Sequence, residues 1–265
     1  MHRALFALAL LSACSPELEE PPLDTSAVGR SCEDSTCVQP GDNLFESNEG
    51  ARRILAFLPD DTAGAPILFA WHYLGGSPEE LVDWMPVDAA VEDGFIVVVP
   101  ESRALLGSEW DVTSSPRDNE DIALFDALLD SLIEVQAADR DRVYSTGFSA
   151  GGLFTSYLTM HRAPRLAATA PFSGGAPLGT YSSPGSDLPV MVSWGGTADT
   201  YGGFDFNDAN ERFIDQLVED GNPVLACDHG LGHWLPEDAA SRTRSFFLEH
   251  SQTGRVADFQ GCELQ

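Results

Sequence analysis

The chain has 265 residues, 43% of them hydrophobic and 21% charged, enough for one large core or at most two small ones. Its 42 acidic residues outweigh 14 basic ones, a formal charge of −28, which argues against a nucleic-acid partner because phosphate binding needs clustered Lys and Arg. All the basic residues are arginine, which removes every mechanism built on a Schiff-base, general-base or phosphate-clamping lysine.

Residues 1–13 read as an export leader. Arg3 supplies a positive start, Ala4 to Leu11 is apolar but too short to span a bilayer, and Leu11-Ser12-Ala13 places small residues before Cys14. This box resembles a bacterial lipoprotein signal, which implies cleavage before Cys14 and lipid on its thiol. The rival is an ordinary secretory signal. Both place the mature protein outside the cytoplasm, at the outer membrane, periplasm or cell surface in the lipoprotein case. Past the leader, no run reaches ~18 apolar residues, so membrane contact is expected through the lipid alone. Residues 14–42 are acidic and rich in Pro and Ser, and read as a tether. Residues 43–265 are expected to form one domain.

Setting Cys14 aside leaves Cys32, Cys37, Cys227 and Cys262, which allow three disulfide pairings. Cys32–Cys37 and Cys227–Cys262 are favoured because each closes a short local segment, the second tying the C-terminal tail to the sheet. A metal site on Cys32 and Cys37 lacks a matching second half.

Along the domain, strands are predicted at 53–58, 66–71, 95–99, 143–146, 188–194 and 223–227. A helix is predicted within 78–91. Others carry Ile122, Phe125, Leu128, Leu129, Leu132 and Ile133, then Leu153, Phe154, Tyr157 and Leu158, and a last one lies near 207–220 with Phe213, Ile214, Leu217 and Val218 inward. Continuous apolar strands alternating with amphipathic helices imply an α/β fold whose central, mostly parallel sheet is covered on both faces.

Gly147-Phe148-Ser149-Ala150-Gly151 matches G-x-S-x-G between a predicted strand and helix, the context of a nucleophile elbow. A serine hydroxyl is a poor nucleophile and needs a base and an orienting acid. Asp199 and His233 follow in the order Ser, Asp, His, each in a glycine-rich loop just past a strand end. His233 is therefore read as the base and Asp199 as its orienting acid, with Asp228 as rival acid and His229 as rival base. The oxyanion needs backbone N–H donors. Ala150 supplies one at its helix N-terminus, and the loop after Trp71 supplies the other, Leu74 first and Tyr73 next. His72 braces that loop. Trp234, Tyr73 and Trp110 are candidate substrate contacts.

His229 and His233, four apart, do not make a metal pair in a glycine-rich loop with no Glu between them. Asp205, Asn207 and Asp208 read as a helix start before they read as a calcium site. No metal and no cofactor is expected.

His72-Tyr73-Leu74-Gly75-Gly76, the stretch Asp121 to Gly152, Gly196-Thr197-Ala198-Asp199 and Gly232-His233-Trp234 together resemble the secreted α/β-hydrolase esterases that include polyhydroxybutyrate depolymerases and feruloyl or acetyl-xylan esterases. The resemblance covers about residues 45–240 and implies the α/β-hydrolase fold and the triad Ser149, Asp199, His233. The family usually has Gly where Tyr73 stands and Asn where Ala150 stands, departures that reshape the acyl pocket without touching the triad.

The expected function is a monomeric serine esterase acting through an acyl-enzyme on neutral esters, either short polyesters or acylated polysaccharide. A non-catalytic surface binding protein on the same scaffold and a serine peptidase are the rivals.

Overall fold

A computed structural model describes residues 37–103, 110–177, 179–250 and 262–265. The leader, Cys14, most of the tether and Cys32 lie outside the described residues, and with them the Cys32–Cys37 pairing.

The chain opens on an antiparallel hairpin, β1 (Gly41–Ser47) and β2 (Gly50–Phe57). β3 (Ile67–Trp71), α1 (Pro78–Trp84), α2 (Asp88–Glu92), β4 (Ile96–Pro100), α3 (Glu120–Gln136), β5 (Val143–Phe148), α4 (Ala150–Arg162) and β6 (Ala168–Phe172) follow. The second half holds β7 (Val190–Trp194), a small hairpin of β8 (Thr200–Tyr201) and β9 (Phe204–Asp205), α5 (Phe206–Glu219), β10 (Val224–Asp228), α6 (Ala239–Glu249) and β11 (Glu263–Leu264). Among the described residues the main sheet runs β1-β2-β4-β3-β5-β6-β7-β10-β11, with the six strands from β4 to β10 parallel and the outer ones antiparallel.

Strand alternation divides the core into two layers. Ile67, Phe69 and Trp71 face the side covered by α3, α4 and α5, where Phe69 meets Phe125 and Trp71 meets Phe154, in a layer that also buries Phe213. Leu68 and Ala70 face α1, α2 and α6, with Leu81, Phe246 and Phe247. Full burial of a Leu, Ile or Phe side chain stabilises by about 1.5–3 kcal/mol, and β3 is buried on both faces as its continuous apolar run predicts.

Local chemistry sets the helix ends. Asn119 caps α3 by accepting from the N–H groups of Asp121 at 3.0 Å and Ile122 at 2.9 Å, and Ala137 closes it in the left-handed conformation at φ 54°. Ser77 caps α1, whose first residue is Pro78. The single helix predicted within 78–91 is two: Pro86 bars Met85 from helical geometry and separates α1 from α2. β1 begins at Gly41, two residues inside the segment read as tether. The structure adds β1, β6, β8, β9, α6 and β11 to the elements expected from the sequence. Disulfide Cys227–Cys262 forms as expected and holds β11 against β10. No helix among the described residues is long and apolar enough to cross a membrane.

The parallel register aligns the strand ends. Trp71 lies opposite Gly147, Phe148 opposite Phe172, Phe172 opposite Ser193, and Asp228 opposite Trp194. The residues that follow these ends therefore share one rim of the sheet, the edge on which open α/β sheets place their sites.

Candidate active site

Ser149 sits between β5 and α4 with φ 57° and ψ −116°, a conformation that a side-chain-bearing residue holds only under restraint from its surroundings. The restraint is close backbone packing. A Cβ on Gly151 would lie 1.9 Å from the Trp71 carbonyl oxygen, so only glycine lets the first turn of α4 settle against the end of β3. The Ser149 N–H donates to Phe172 O at 3.0 Å and pins the elbow to β6.

The three residues singled out in the sequence meet. His233 Nε2 lies 2.9 Å from Ser149 Oγ, and His233 Nδ1 lies 2.7 Å from Asp199 Oδ1. A carboxylate only accepts, so Nδ1 carries the proton and Nε2 is left to accept from the serine hydroxyl. Asp199 is wholly buried. Its second oxygen accepts from Ser173 Oγ at 2.8 Å and from the Gly195 N–H at 2.9 Å, which hold the carboxylate in one orientation. The imidazole is packed by Phe206 at 4.3 Å, Phe148 at 5.1 Å and Tyr201 at 5.3 Å between ring centres.

The loops carrying Asp199 and His233 touch backbone to backbone. Gly232 N–H donates to Gly195 O at 3.0 Å, and a Cβ on Gly195 would fall 1.8 Å from Gly232 O.

The rival residues are occupied elsewhere. Asp228 accepts from the Gly230 N–H at 2.9 Å, inside its own turn. His229 Nδ1 accepts from the Leu231 N–H at 3.3 Å, and burial lowers the pKa of its ring. Asp205 caps α5 by accepting from the Asp208 N–H at 3.0 Å.

The loop after β3 is tightly held. Buried His72 accepts the Ser102 N–H on Nε2 at 3.1 Å, which places the proton on Nδ1, 2.9 Å from the Tyr73 carbonyl. Trp110 Nε1 donates to His72 O at 2.8 Å. Leu74 and Ala150 line one pocket with Ser149, a cavity of about 300 Å³. Its remaining walls include Val112, Leu153, Tyr201, Phe204 and Phe206. Trp110 contributes a wall while its ring is buried between Trp71 and Phe154. Tyr73 and Trp234 are not among the lining residues. Both lie against Trp84 instead.

Ser173, Tyr201, Phe204, Phe206 and Trp84 had no place in the sequence reading of the site. Ser173 follows β6, which had gone unpredicted. Tyr201-Gly202-Gly203-Phe204 carries a recognisable signal, two glycines between aromatic residues, and both adopt positive φ in the β8–β9 turn.

No family model matches the sequence. The chain is 27% identical over 212 residues to feruloyl esterase D of Neurospora crassa, covering 73% of this chain and 67% of that protein. It is 31% identical over 150 residues to acetylxylan esterase A of Emericella nidulans, covering 53% and 47%. It thus spans about two thirds or less of these curated relatives. Among solved structures, native sOPH superposes with a TM-score of 0.64 at 15% identity, covering 89% of this chain and 96% of that one. The Bacillus cereus carboxylesterase does so with a TM-score of 0.56 at 17% identity, covering 74% and 93%.

The chain has the α/β-hydrolase fold. Its relatives in sequence are feruloyl and acetylxylan esterases. The α/β-hydrolase fold explains why the trio lies in the order serine, acid, histidine: each residue follows a different parallel strand onto the same rim.

Proposed function

We propose that the chain is a serine esterase that hydrolyses neutral carboxylic esters through an acyl-enzyme. The observation that carries this reading is the unbroken path of two short hydrogen bonds from Asp199 through His233 to Ser149. The esterases among its relatives support ester bonds over peptide bonds as the target.

In the proposed reaction, His233 Nε2 takes the Ser149 proton as Oγ attacks the ester carbonyl carbon. The carbonyl π electrons move to oxygen. The resulting oxyanion is met by the Ala150 N–H, which opens α4 and has no partner in its own helix, and by the Leu74 N–H, with Tyr73 the neighbouring donor. Collapse expels the alkoxide, which takes the proton from His233. Water then repeats the cycle on the acyl-serine and releases the acid. Asp199 holds the ring tautomer and stabilises the imidazolium.

The apolar pocket beside Ser149 fits the acyl portion. The substrates are acyl or feruloyl esters on polysaccharide, or short polyesters. A formal charge of −28 disfavours anionic ones at long range. Export with lipid on Cys14 belongs to the same reading, and loss of labelled-palmitate incorporation in Cys14→Ser cells tests it.

The central test is p-nitrophenyl butyrate hydrolysis by wild type and Ser149→Ala, paired with intact mass after a fluorophosphonate probe. The variant should lose about 10³-fold or more and take no label. Equal rates in the two proteins refute the reading.

A further inference from the structure

A second aromatic surface lies beside the trio and outside the pocket that Ser149 lines. Tyr73 stacks on Trp84 with ring centres 4.8 Å apart and planes at 21°. Trp84 in turn meets Trp234 at 4.9 Å. Trp84 is 38% exposed and Trp234 57% exposed, although both are large apolar side chains. Phe148 joins this group to the trio, at 6.2 Å from Tyr73, 6.3 Å from Trp84 and 5.1 Å from the His233 imidazole. A contiguous exposed patch of this kind, at a site rim, marks a binding surface.

We propose that Tyr73, Trp84 and Trp234 form an open shelf that holds a sugar ring on the alcohol side of the scissile ester. The proposal rests on the serine-esterase reading and names the leaving group for it.

Two observations choose this occupant. His233 Nε2 must hand its proton to the departing oxygen, so the alcohol lies beside the imidazole, and the shelf abuts that imidazole through Phe148 and through Trp234, the next residue in the chain. The shelf is also edged by acceptors. The Tyr73 hydroxyl donates to Glu80 at 3.2 Å, and Glu80 and Asp83 are both exposed on α1. A sugar presents C–H groups to the electron-rich ring faces and O–H donors to these carboxylates. A polyester chain presents ester acceptors along its length and a hydroxyl donor only at one end, so it matches these carboxylates less well than a sugar ring.

The test holds the acyl group constant. kcat/KM is measured for wild type, Trp84→Ala and Trp234→Ala on an acetylated xylo-oligosaccharide and on ethyl acetate. The ratio of sugar ester to ethyl ester is expected to fall about tenfold in each variant, the loss of one stacked contact. Trp234→Phe should restore most of it. Trp234 is more than half exposed, so its variants fold even if Trp84→Ala does not. An unmoved ratio in Trp234→Ala overturns the shelf and leaves the esterase standing. A change confined to ethyl ferulate against ethyl acetate overturns it by assigning the rings to the acyl side. A fall for a hydroxybutyrate dimer but not for the sugar ester overturns the sugar as occupant. A wild type that cleaves neither acetate and takes no fluorophosphonate fails the esterase reading first, and the shelf with it.

Discussion

The Ser173 hydroxyl donates to Asp199 Oδ2 at 2.8 Å, from a backbone held at φ 43°. Left-handed backbone at a serine is unfavourable, and here it aims the side chain at the one carboxylate that orients His233. Ser173→Ala should lower kcat/KM about tenfold, since a hydrogen bond to a charged acceptor is worth about 1.5–3 kcal/mol. Ser173→Gly should be equally slow but about 1 kcal/mol more stable than Ser173→Ala by urea denaturation, because glycine removes the strain. Equal stabilities would show that the conformation carries no strain.

Asp199→Asn keeps the shape of the site and reverses its logic. The new amide donates toward Nδ1, which drives the imidazole proton to Nε2, where it blocks the serine. kcat should fall about 10⁴-fold with KM little changed, read from steady-state ester kinetics.

Gly195→Ala tests the contact between the two loops. Its Cβ would meet Gly232 O, so the His233 loop must move. A displacement near 1 Å costs about 10²-fold in rate. The far-UV spectrum should be retained and fluorophosphonate labelling slowed to match the loss in kcat.

Acid should destabilise the fold before carboxylates titrate. Burial lowers the pKa of His161, His229 and His250, and His250 is fully inaccessible to solvent. Each binds a proton more readily unfolded than folded. Their neutral forms therefore support the fold above the unfolded value of about 6.5, and that support is lost as pH falls below it. Thermal midpoints should fall between pH 7 and pH 5, less steeply in His250→Gln.

Cys262→Ser should lower stability by up to about 4 kcal/mol, since the bridge closes a loop of 35 residues that is otherwise free in the unfolded chain. The urea midpoint measures it, and wild type under reducing agent should match the variant.

The trio was legible because its chemistry sits on strong local signals. Glycines flank Ser149, and the strand ends at Trp194 and Cys227 place Asp199 and His233 on one rim. Ser173 was hidden because β6, Ala-Thr-Ala-Pro-Phe, is built from small residues and a proline, which give little strand signal. β1 alternates weakly, burying Phe45 while exposing Leu44, so it blended into the acidic segment before it. Trp84 could not be found from spacing at all. It lies on α1, far in sequence from Trp234, and only the tertiary fold stacks the two. The helix over 78–91 had the right periodicity, and Pro86 cut it in two.

β11 is only two residues long, yet it occupies the outer flank of β10, whose Val224, Leu225 and Ala226 are buried. An uncapped strand of this composition offers its N–H and C=O groups to any neighbouring molecule. The covalent tie that fastens β11 in place is therefore also a guard between molecules: once it is cut, β10 becomes a seam along which copies can zip together, and the first sign of reduction should be turbidity.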